Sequence, residues 1–493
     1  MVILLADDMG YSDIGCYGGE IETPHIDALA AGGIRFTQFY NAARCCPTRA
    51  CLLTGLYPHQ AGMGGMVSKG SEGPEGPYQG YLNRRCVTLA EVLKGPGYRT
   101  YMSGKWHVGE APAHWPCKRG FDRYFGLISG ASSYYAKDEG RAMALDDAPF
   151  TPPADGFYMT DAIGDHAVQC IEEHDASAPF FQYVAFTAPH WPLHAPEETV
   201  AKYAGQYGQG WDVLRQERHA RMLEMGLVRP EWPLSPRDDE VPAWEDRDPA
   251  LDWERRMRVY AAMVDRMDQN IGRIVAALKA KGVFENTLIL FLSDNGGCHE
   301  NIDGRKRNQP GSLAGTRESY VAYERSWANA SNTPYRLFKH WAHEGGAATP
   351  CIAHWPAGIA HPGRLTDQVG HILDFMPTVC ALAGAAYPEA RDGEAIQAME
   401  GTSLLPVFRG EAGQAARTLC WEHMGNAAIR QGDWKLVKRT ERESWELYDM
   451  KADRTELNEV SAAHPEIAAE LKAAYDVWSA RVGVKTPRKR EPV

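Results

Sequence analysis

The sequence predicts an α/β fold: a large mixed, mostly parallel sheet flanked by helices, followed by a small C-terminal antiparallel sheet with a packed helix. Three observations predict it. Short apolar runs at 2–6, 98–103, 180–187 and 288–292 each give way to polar or turn residues, as strands buried on both faces of a parallel sheet do. A helical pattern over 254–281 puts Met257, Tyr260, Val264, Met267, Ile271, Ile274 and Leu278 on one face and stops at Gly282. Near the end, strand-like pieces at 418–422, 427–431, 434–438 and 445–449 precede a helix starting at Pro465, with Ile467, Leu471, Tyr475 and Trp478 on one face.

Taken in order, the run 2–6 ends in Asp7-Asp8. Ligands of open α/β sheets gather at the carboxyl ends of strands, so two carboxylates there form a site hypothesis; the plain alternative is a cap on the next segment. Thr23-Pro24 with Ile26, Leu29 and Ala30, closed by Gly32-Gly33, reads as a capped helix. Cys45-Cys46-Pro47-Thr48-Arg49-Ala50-Cys51-Leu52-Leu53-Thr54-Gly55 reads as a loop delivering a reactive side chain to a helix N-terminus. Pro47 suits the first helical turn, and Thr48 and Arg49 then sit where free N–H groups favour an anion. A buried thiol pair is the plain alternative for the two cysteines.

A short helix at 88–93 is stopped by Gly95-Pro96-Gly97, and the next strand emerges into Gly104-Lys105-Trp106-His107. The run 180–187 ends in Ala188-Pro189-His190, and 288–292 ends in Ser293-Asp294-Asn295-Gly296. Four strands thus bring polar residues to one rim. The stretch 204–251, rich in Trp, Arg, Asp and Pro, lacks clear periodicity and reads as an insertion over the sheet bordering the cleft.

The 493 residues, 44% of them hydrophobic, suffice for a substantial core. A shift to Ala, Gly and Glu over 383–406 suggests a linker between a catalytic unit, 1–385, and a small α+β unit, 386–493. No run of eighteen apolar residues occurs, so no membrane span is expected. The formal charge of -12 and the lack of a basic stripe exclude nucleic acid as a partner, and Arg488-Lys489-Arg490 reads as a short solvated tail. Eleven cysteines without Cys-x-x-Cys spacing argue against a zinc ribbon or a regular disulfide framework. With no signal peptide ahead of Val2-Ile3-Leu4-Leu5, the chain as written is expected in the cytoplasm with free thiols. It is expected to be periplasmic or secreted if an N-terminal segment is missing.

The stretch at Cys45 resembles the signature of type I, formylglycine-dependent sulfatases, Cys-x-Pro-Ser-Arg-x-x-x-Leu-Thr-Gly, with Thr48 replacing Ser. The resemblance extends over nearly the whole chain and implies an alkaline-phosphatase-like fold. It implies that Cys45, fixed in register by Pro47 and Arg49, is oxidised by a maturation enzyme to formylglycine, whose hydrate is the nucleophile. Leu5-Ala6-Asp7-Asp8-Met9-Gly10 and Ser293-Asp294-Asn295-Gly296 match the family's metal-binding turns. By that resemblance Asp7, Asp8, Asp294 and Asn295, with modified Cys45, bind one divalent cation, usually Ca2+. Independently, an all-oxygen set suits Ca2+ or Mg2+ and not zinc.

Gly104-Lys105-Trp106-His107 resembles the element whose Lys binds sulfate and whose His assists the aldehyde hydrate. Thr187-Ala188-Pro189-His190 resembles the one whose His lies near the leaving group, and Phe338-Lys339-His340 the one supplying a second sulfate-binding Lys. The implied substrate is a small-molecule or saccharide sulfate ester. His194 and His299 border the pocket or are structural. The rival readings are a phosphodiester or phosphonate monoester hydrolase of the same superfamily, and a non-catalytic binder of sulfated ligands. Specificity is expected from the 130s loop, 204–251 and 299–307.

Overall fold

A computed structural model describes residues 1–67, 76–304, 307–411 and 417–485. The Arg488-Lys489-Arg490 tail and part of the 299–307 stretch lie outside them. Among the described residues eleven strands form one sheet. They are β1 (Val2–Ala6), β2 (Ile34–Tyr40), β3 (Arg99–Gly104), β4 (Arg123–Leu127), β5 (Met143–Leu145), β6 (Ala148–Pro149), β7 (Phe180–Ala185), β8 (Ile289–Ser293), β9 (Ala348–His354), β10 (Arg364–Thr366) and β11 (Gly370–His371).

The sheet order is β10-β2-β9-β8-β1-β7-β3-β4-β5-β6, with β11 also on β2. At its centre β8, β1, β7 and β3 run parallel, so their carboxyl ends share one rim. β2 joins the sheet through β9, antiparallel to both β2 and β8, and therefore ends on the same rim.

Alternation along the buried strands divides the core. Val2, Leu4 and Ala6 face a layer holding the long helix Trp253–Ala280 and the helix Met159–Glu173. Ile3 and Leu5 face a layer holding the helices Cys45–Thr54, Leu89–Leu93 and Phe375–Ala383. All seven apolar residues expected on one face of the long helix are buried, its methionines among them, and Asp252 caps its N-terminus by accepting from Arg255 N. No described helix is long and apolar enough to cross a membrane.

Three local expectations change. The helix at the cysteines begins at Cys45, two residues before Pro47, and Thr48 N already bonds Arg44 O at 2.9 Å. The amides outside the helical ladder are therefore those of Cys45 and Cys46, not those of Thr48 and Arg49. Thr23 caps no backbone N–H of its helix, because its hydroxyl pairs with Asp27 and Gly15 N.

The stretch 204–251 contains a regular helix, Gly210–Glu224. Its buried stripe, Trp211, Leu214, Arg215, Arg218 and Met222, holds two arginines, so an apolar count misses it. Arg218 pairs with Asp13 at 2.7 Å and Glu20 at 2.8 Å, bracing the loop that follows Asp7-Asp8. Among the described residues, no hydrogen bond or ion pair of a site side chain named above comes from 204–251.

After a two-stranded hairpin, β12 (Ala390–Arg391) and β13 (Glu394–Ala395), a four-stranded antiparallel sheet follows. It consists of β14 (Thr418–His423), β15 (Asn426–Gln431), β16 (Trp434–Lys438) and β17 (Glu446–Asp449). The helix Pro465–Val482 packs on it through Leu471, Tyr475, Trp478 and Val482, with Ile467 half-buried. Its charges reach into the main sheet's rim. Fully buried Glu344 accepts from Lys435 Nζ at 2.7 Å, Arg454 Nε at 3.2 Å and Tyr40 Oη at 2.9 Å.

Removing Lys435 leaves Glu344 and Glu456 buried with one fewer cation. Lys435→Met is expected to cost about 3–5 kcal/mol in urea unfolding, the usual penalty for breaking one side of a buried ion pair. A loss below about 1 kcal/mol would mean that the network relaxes into water.

Candidate active site

Five of the strands that end on the rim, β1, β2, β3, β7 and β8, lead into one buried cluster. β1 delivers Asp7 and Asp8, β8 delivers Asp294 and Asn295, β3 delivers Lys105 and His107, and the turn after β7 delivers His190. β2 leads through residues 41–44 into Cys45 and Arg49, and Lys339 arrives ahead of β9. Every one of these side chains is buried. Close backbone approach demands glycine beside two of them. A Cβ on Gly104, whose φ is +112°, would lie 1.9 Å from Ala185 O, and one on Gly296 would lie 1.8 Å from Gly345 O.

Asp294 joins the parts. Its Oδ1 accepts from Asp8 N at 3.1 Å, and its Oδ2 accepts from Arg49 Nε at 3.1 Å and Nη2 at 2.7 Å. Arg49 Nη1 donates to Lys105 O at 2.8 Å. Lys105 Nζ donates to Asp7 Oδ2 at 2.7 Å, and Lys339 Nζ to Asp8 Oδ2 at 2.8 Å. His190 Nε2 lies 3.4 Å from both Asp8 Oδ2 and Lys339 Nζ, and its Nδ1 bonds Trp191 O at 2.6 Å. A carbonyl only accepts, so Nδ1 carries the proton and Nε2 presents its lone pair.

The charges are perturbed as burial dictates. Burial raises the Asp7 carboxyl well above the usual range, against the pull of Lys105, and raises Asp294 despite Arg49. Burial also opposes charge on Asp8, but His190 and Lys339 outweigh it and hold that group low. Burial pushes His107 down to about 4 and His190 to about 3, so both are neutral at pH 7; the charge beside Asp8 there is that of Lys339. A hydrogen bond from Cys46 holds the Cys45 thiol well below its ordinary value.

Backbone strain gathers here too. Asp8, Ala43, His107 and His340 have φ of 68°, 59°, 55° and 94°, a conformation costing each on the order of 1–3 kcal/mol and characteristic of functional sites.

The residues fit a hard cation. Asp7 Oδ1 and Asn295 Oδ1 are buried oxygens without a hydrogen-bond donor. With Asp8 and Asp294 they form an all-oxygen set. Three carboxylates face three cations, Arg49, Lys105 and Lys339, so a dication would leave the pocket at about +2 inside a chain of net -12.

Of the rim, the sequence points only to 299–307, the stretch that holds Glu300. Arg44 pairs with Glu300 at 3.1 Å, and Trp191 Nε1 donates to Glu300 at 2.9 Å. The only signal for Arg44 and Trp191 in the chain is that they adjoin Cys45 and His190. The 130s loop acts from behind: Tyr134 Oη donates to Thr187 O at 2.6 Å and His190 O at 2.8 Å. His299 stacks on Phe338 and leans on Trp341. Thr48 uses its hydroxyl to accept from Ala42 N at 2.9 Å, a task serine also performs.

His194 is structural. It is fully buried, with Nδ1 accepting from Tyr134 N at 3.3 Å and Nε2 donating to Ser319 O at 2.7 Å. Burial pushes it from 6.5 down to about 4. Between these values the unfolded chain holds a proton that the folded chain lacks, so this stability is complete above pH 6.5 and lost as pH falls. His194→Gln is therefore expected to flatten the pH dependence of urea unfolding between pH 6.5 and 4 by about 1.4 kcal/mol per pH unit. An unchanged slope would show that His194 keeps its ordinary proton affinity in the fold.

The family model described as Sulfatase matches residues 1–385, and that described as N-sulphoglucosamine sulphohydrolase, C-terminal, matches 335–477. The chain is 35% identical to an arylsulfatase of Klebsiella aerogenes, over 83% of this chain and 91% of that protein. It is 29% identical to arylsulfatase A of Homo sapiens, over 96% and 86%. Among solved structures, Ps i-CgsB in complex with k-i-k-neocarrahexaose superposes with a TM-score of 0.72 at 26% identity, covering 97% of this chain and 92% of that one. The chain belongs to the sulfatase family, within the alkaline-phosphatase-like superfamily, and is a sulfuric ester hydrolase.

Proposed function

We propose that the protein hydrolyses a sulfate monoester of an aryl or carbohydrate alcohol, using formylglycine made from Cys45 and one Ca2+, or Mg2+, held by Asp7, Asp8, Asp294 and Asn295. Residues 1–385 would form the catalytic unit and 386–493 its C-terminal support. The observation that carries this reading is the convergence of Cys45 with two orphaned buried oxygens, Asp7 Oδ1 and Asn295 Oδ1, under Arg49 and two lysines. The substrate class follows the Klebsiella relative, named an arylsulfatase, and the neighbour in complex with k-i-k-neocarrahexaose.

When present, the cation supplies Lewis acidity and the hydrated aldehyde two hydroxyls on one carbon, one to attack sulfur and one to expel sulfate. The chain's own groups do the rest. Arg49, locked by Asp294 and the Lys105 carbonyl, presents its charge beside residue 45 without reorganisation. Lys105 and Lys339 attract the sulfate oxygens, each contact at ~4 Å and an effective dielectric of ~20 being worth roughly 4 kcal/mol before desolvation. Neutral His107 takes the proton that must leave residue 45 in the second half of the reaction. The leaving oxygen meets Lys339, whose ammonium faces the lone pair of His190 Nε2; the pair supplies its proton.

A two-zinc phosphatase needs more Asp and His ligands than this four-oxygen set supplies, which argues against that rival. Coexpression with a maturing enzyme is expected to lower the mass of the peptide bearing residue 45 by about 18 Da. The matured enzyme should cleave aryl sulfate faster than aryl phosphate. Cys45→Ser should release one equivalent of alcohol per site and then stop, because serine has no second hydroxyl. Full steady-state turnover in that variant, or faster phosphate cleavage, would overturn the assignment.

A further inference from the structure

The proposed chemistry gives Cys46 no task, yet Cys46 is fully buried with its Sγ 3.3 Å from His107 Nε2. Cys45, Cys46 and His107 each offer a ligand atom, and all three atoms lie within 4.8 Å of one another in a buried cluster. This set is unlike the carboxylate set beside it: two sulfurs and an imidazole are the ligands of zinc-like ions, where oxygens select calcium or magnesium. Zinc bonds of about 2.3 Å to sulfur and about 2.0 Å to nitrogen, at tetrahedral angles, place the two ligand atoms about 3.5 Å apart. The separation found needs only a few tenths of an ångström of adjustment.

We propose that a chain that folds with Cys45 still a thiol carries a second, soft-cation site, made of Cys45, Cys46 and His107 and suited to Zn2+, which oxidation of Cys45 erases. The proposal rests on the formylglycine reading only in that last clause. Binding forms two metal–sulfur bonds and one metal–nitrogen bond, releases to solvent whatever protons the two sulfurs carry and moves no electron. The two thiolates cancel the charge of the ion, so Lys105 and Arg49 face a neutral centre.

The ligands are held in place before any ion arrives. The cysteines occupy the first turn of their helix. His107 has its backbone fixed at φ 55° and by His107 N to Ile128 O at 3.1 Å, and its ring lies so close to Gly130 that a Cβ there would be 2.4 Å from Nε2. Nε2 of His107 faces the sulfur and would take the metal, which leaves the ring hydrogen on Nδ1, an atom without a hydrogen-bond partner. That missing outer support weakens the site relative to a structural zinc centre, and with three protein ligands the fourth position stays open. The consequence is a capped form: a metal-bound Cys45 is withheld from thiol reagents.

The test uses the full chain expressed without a maturing enzyme, with Cys45 verified as a thiol by intact mass. Titration with Co2+ is expected to give a thiolate-to-cobalt charge-transfer band saturating at one equivalent, which Zn2+ displaces and Cys46→Ala loses. In the unsubstituted chain, Zn2+ is expected to slow alkylation of Cys45 by at least about tenfold, reversibly with chelator. Cobalt uptake without the band, which places the ion on the carboxylates, or alkylation indifferent to zinc, overturns the proposal. Neither result touches the formylglycine reading. Conversely, if coexpression leaves the mass at residue 45 unchanged, that reading fails while the band persists.

Discussion

Asp294 is the constraint on which the site depends. One carboxylate oxygen fixes the backbone of Asp8 at the end of β1, and the other clamps Arg49 on the helix that begins at Cys45. It therefore ties two parallel strands and the helix bearing the reactive residue into one frame. Buried charges of this kind gain little net stability, because desolvation consumes most of the attraction. Their value is positional: Arg49 and Lys105 cannot leave their carboxylates without stranding a charge in the core.

That frame explains where the molecule spends its stability. Four residues in left-handed backbone conformations border the cluster, and each must be held there by its surroundings. The support comes from behind. Arg218 and Tyr260 meet on Asp13, just beyond Asp7-Asp8. Glu344, close after Lys339, is pinned by Lys435 of β16 and by Arg454 just beyond β17. The small antiparallel sheet thus buttresses the segment that brings Lys339 to the rim, and Trp421 extends the tie by donating from Nε1 to Asn41 O at 2.7 Å, four residues before Cys45.

Much of this was legible in the chain. Apolar runs that stop at polar residues locate the rim, because a strand buried on both faces has no reason to end in Asp-Asp or Ser-Asp-Asn unless those groups find partners there. The less legible parts have physical causes. The stripe of the helix Gly210–Glu224 includes Arg215 and Arg218, which are buried by pairing and not by apolarity. β2 carries half-buried Arg35 and Gln38 within its run. β9 contains Pro350, which argues against an interior strand; the register against β2 shifts between Phe36 and Phe39, opposite that proline, and absorbs the missing donor. The contact of Cys46 with His107 joins residues sixty-one positions apart and leaves no local trace.

The central claim is that three carboxylates and one amide, delivered by two adjacent parallel strands, hold a single hard cation beside residue 45. Elemental analysis of the purified protein and of Asp294→Ala tests it most directly. The account requires one Ca2+ or Mg2+ per chain in the former and its loss in the latter; two zinc ions per chain, or a cation content unchanged by the substitution, would contradict it.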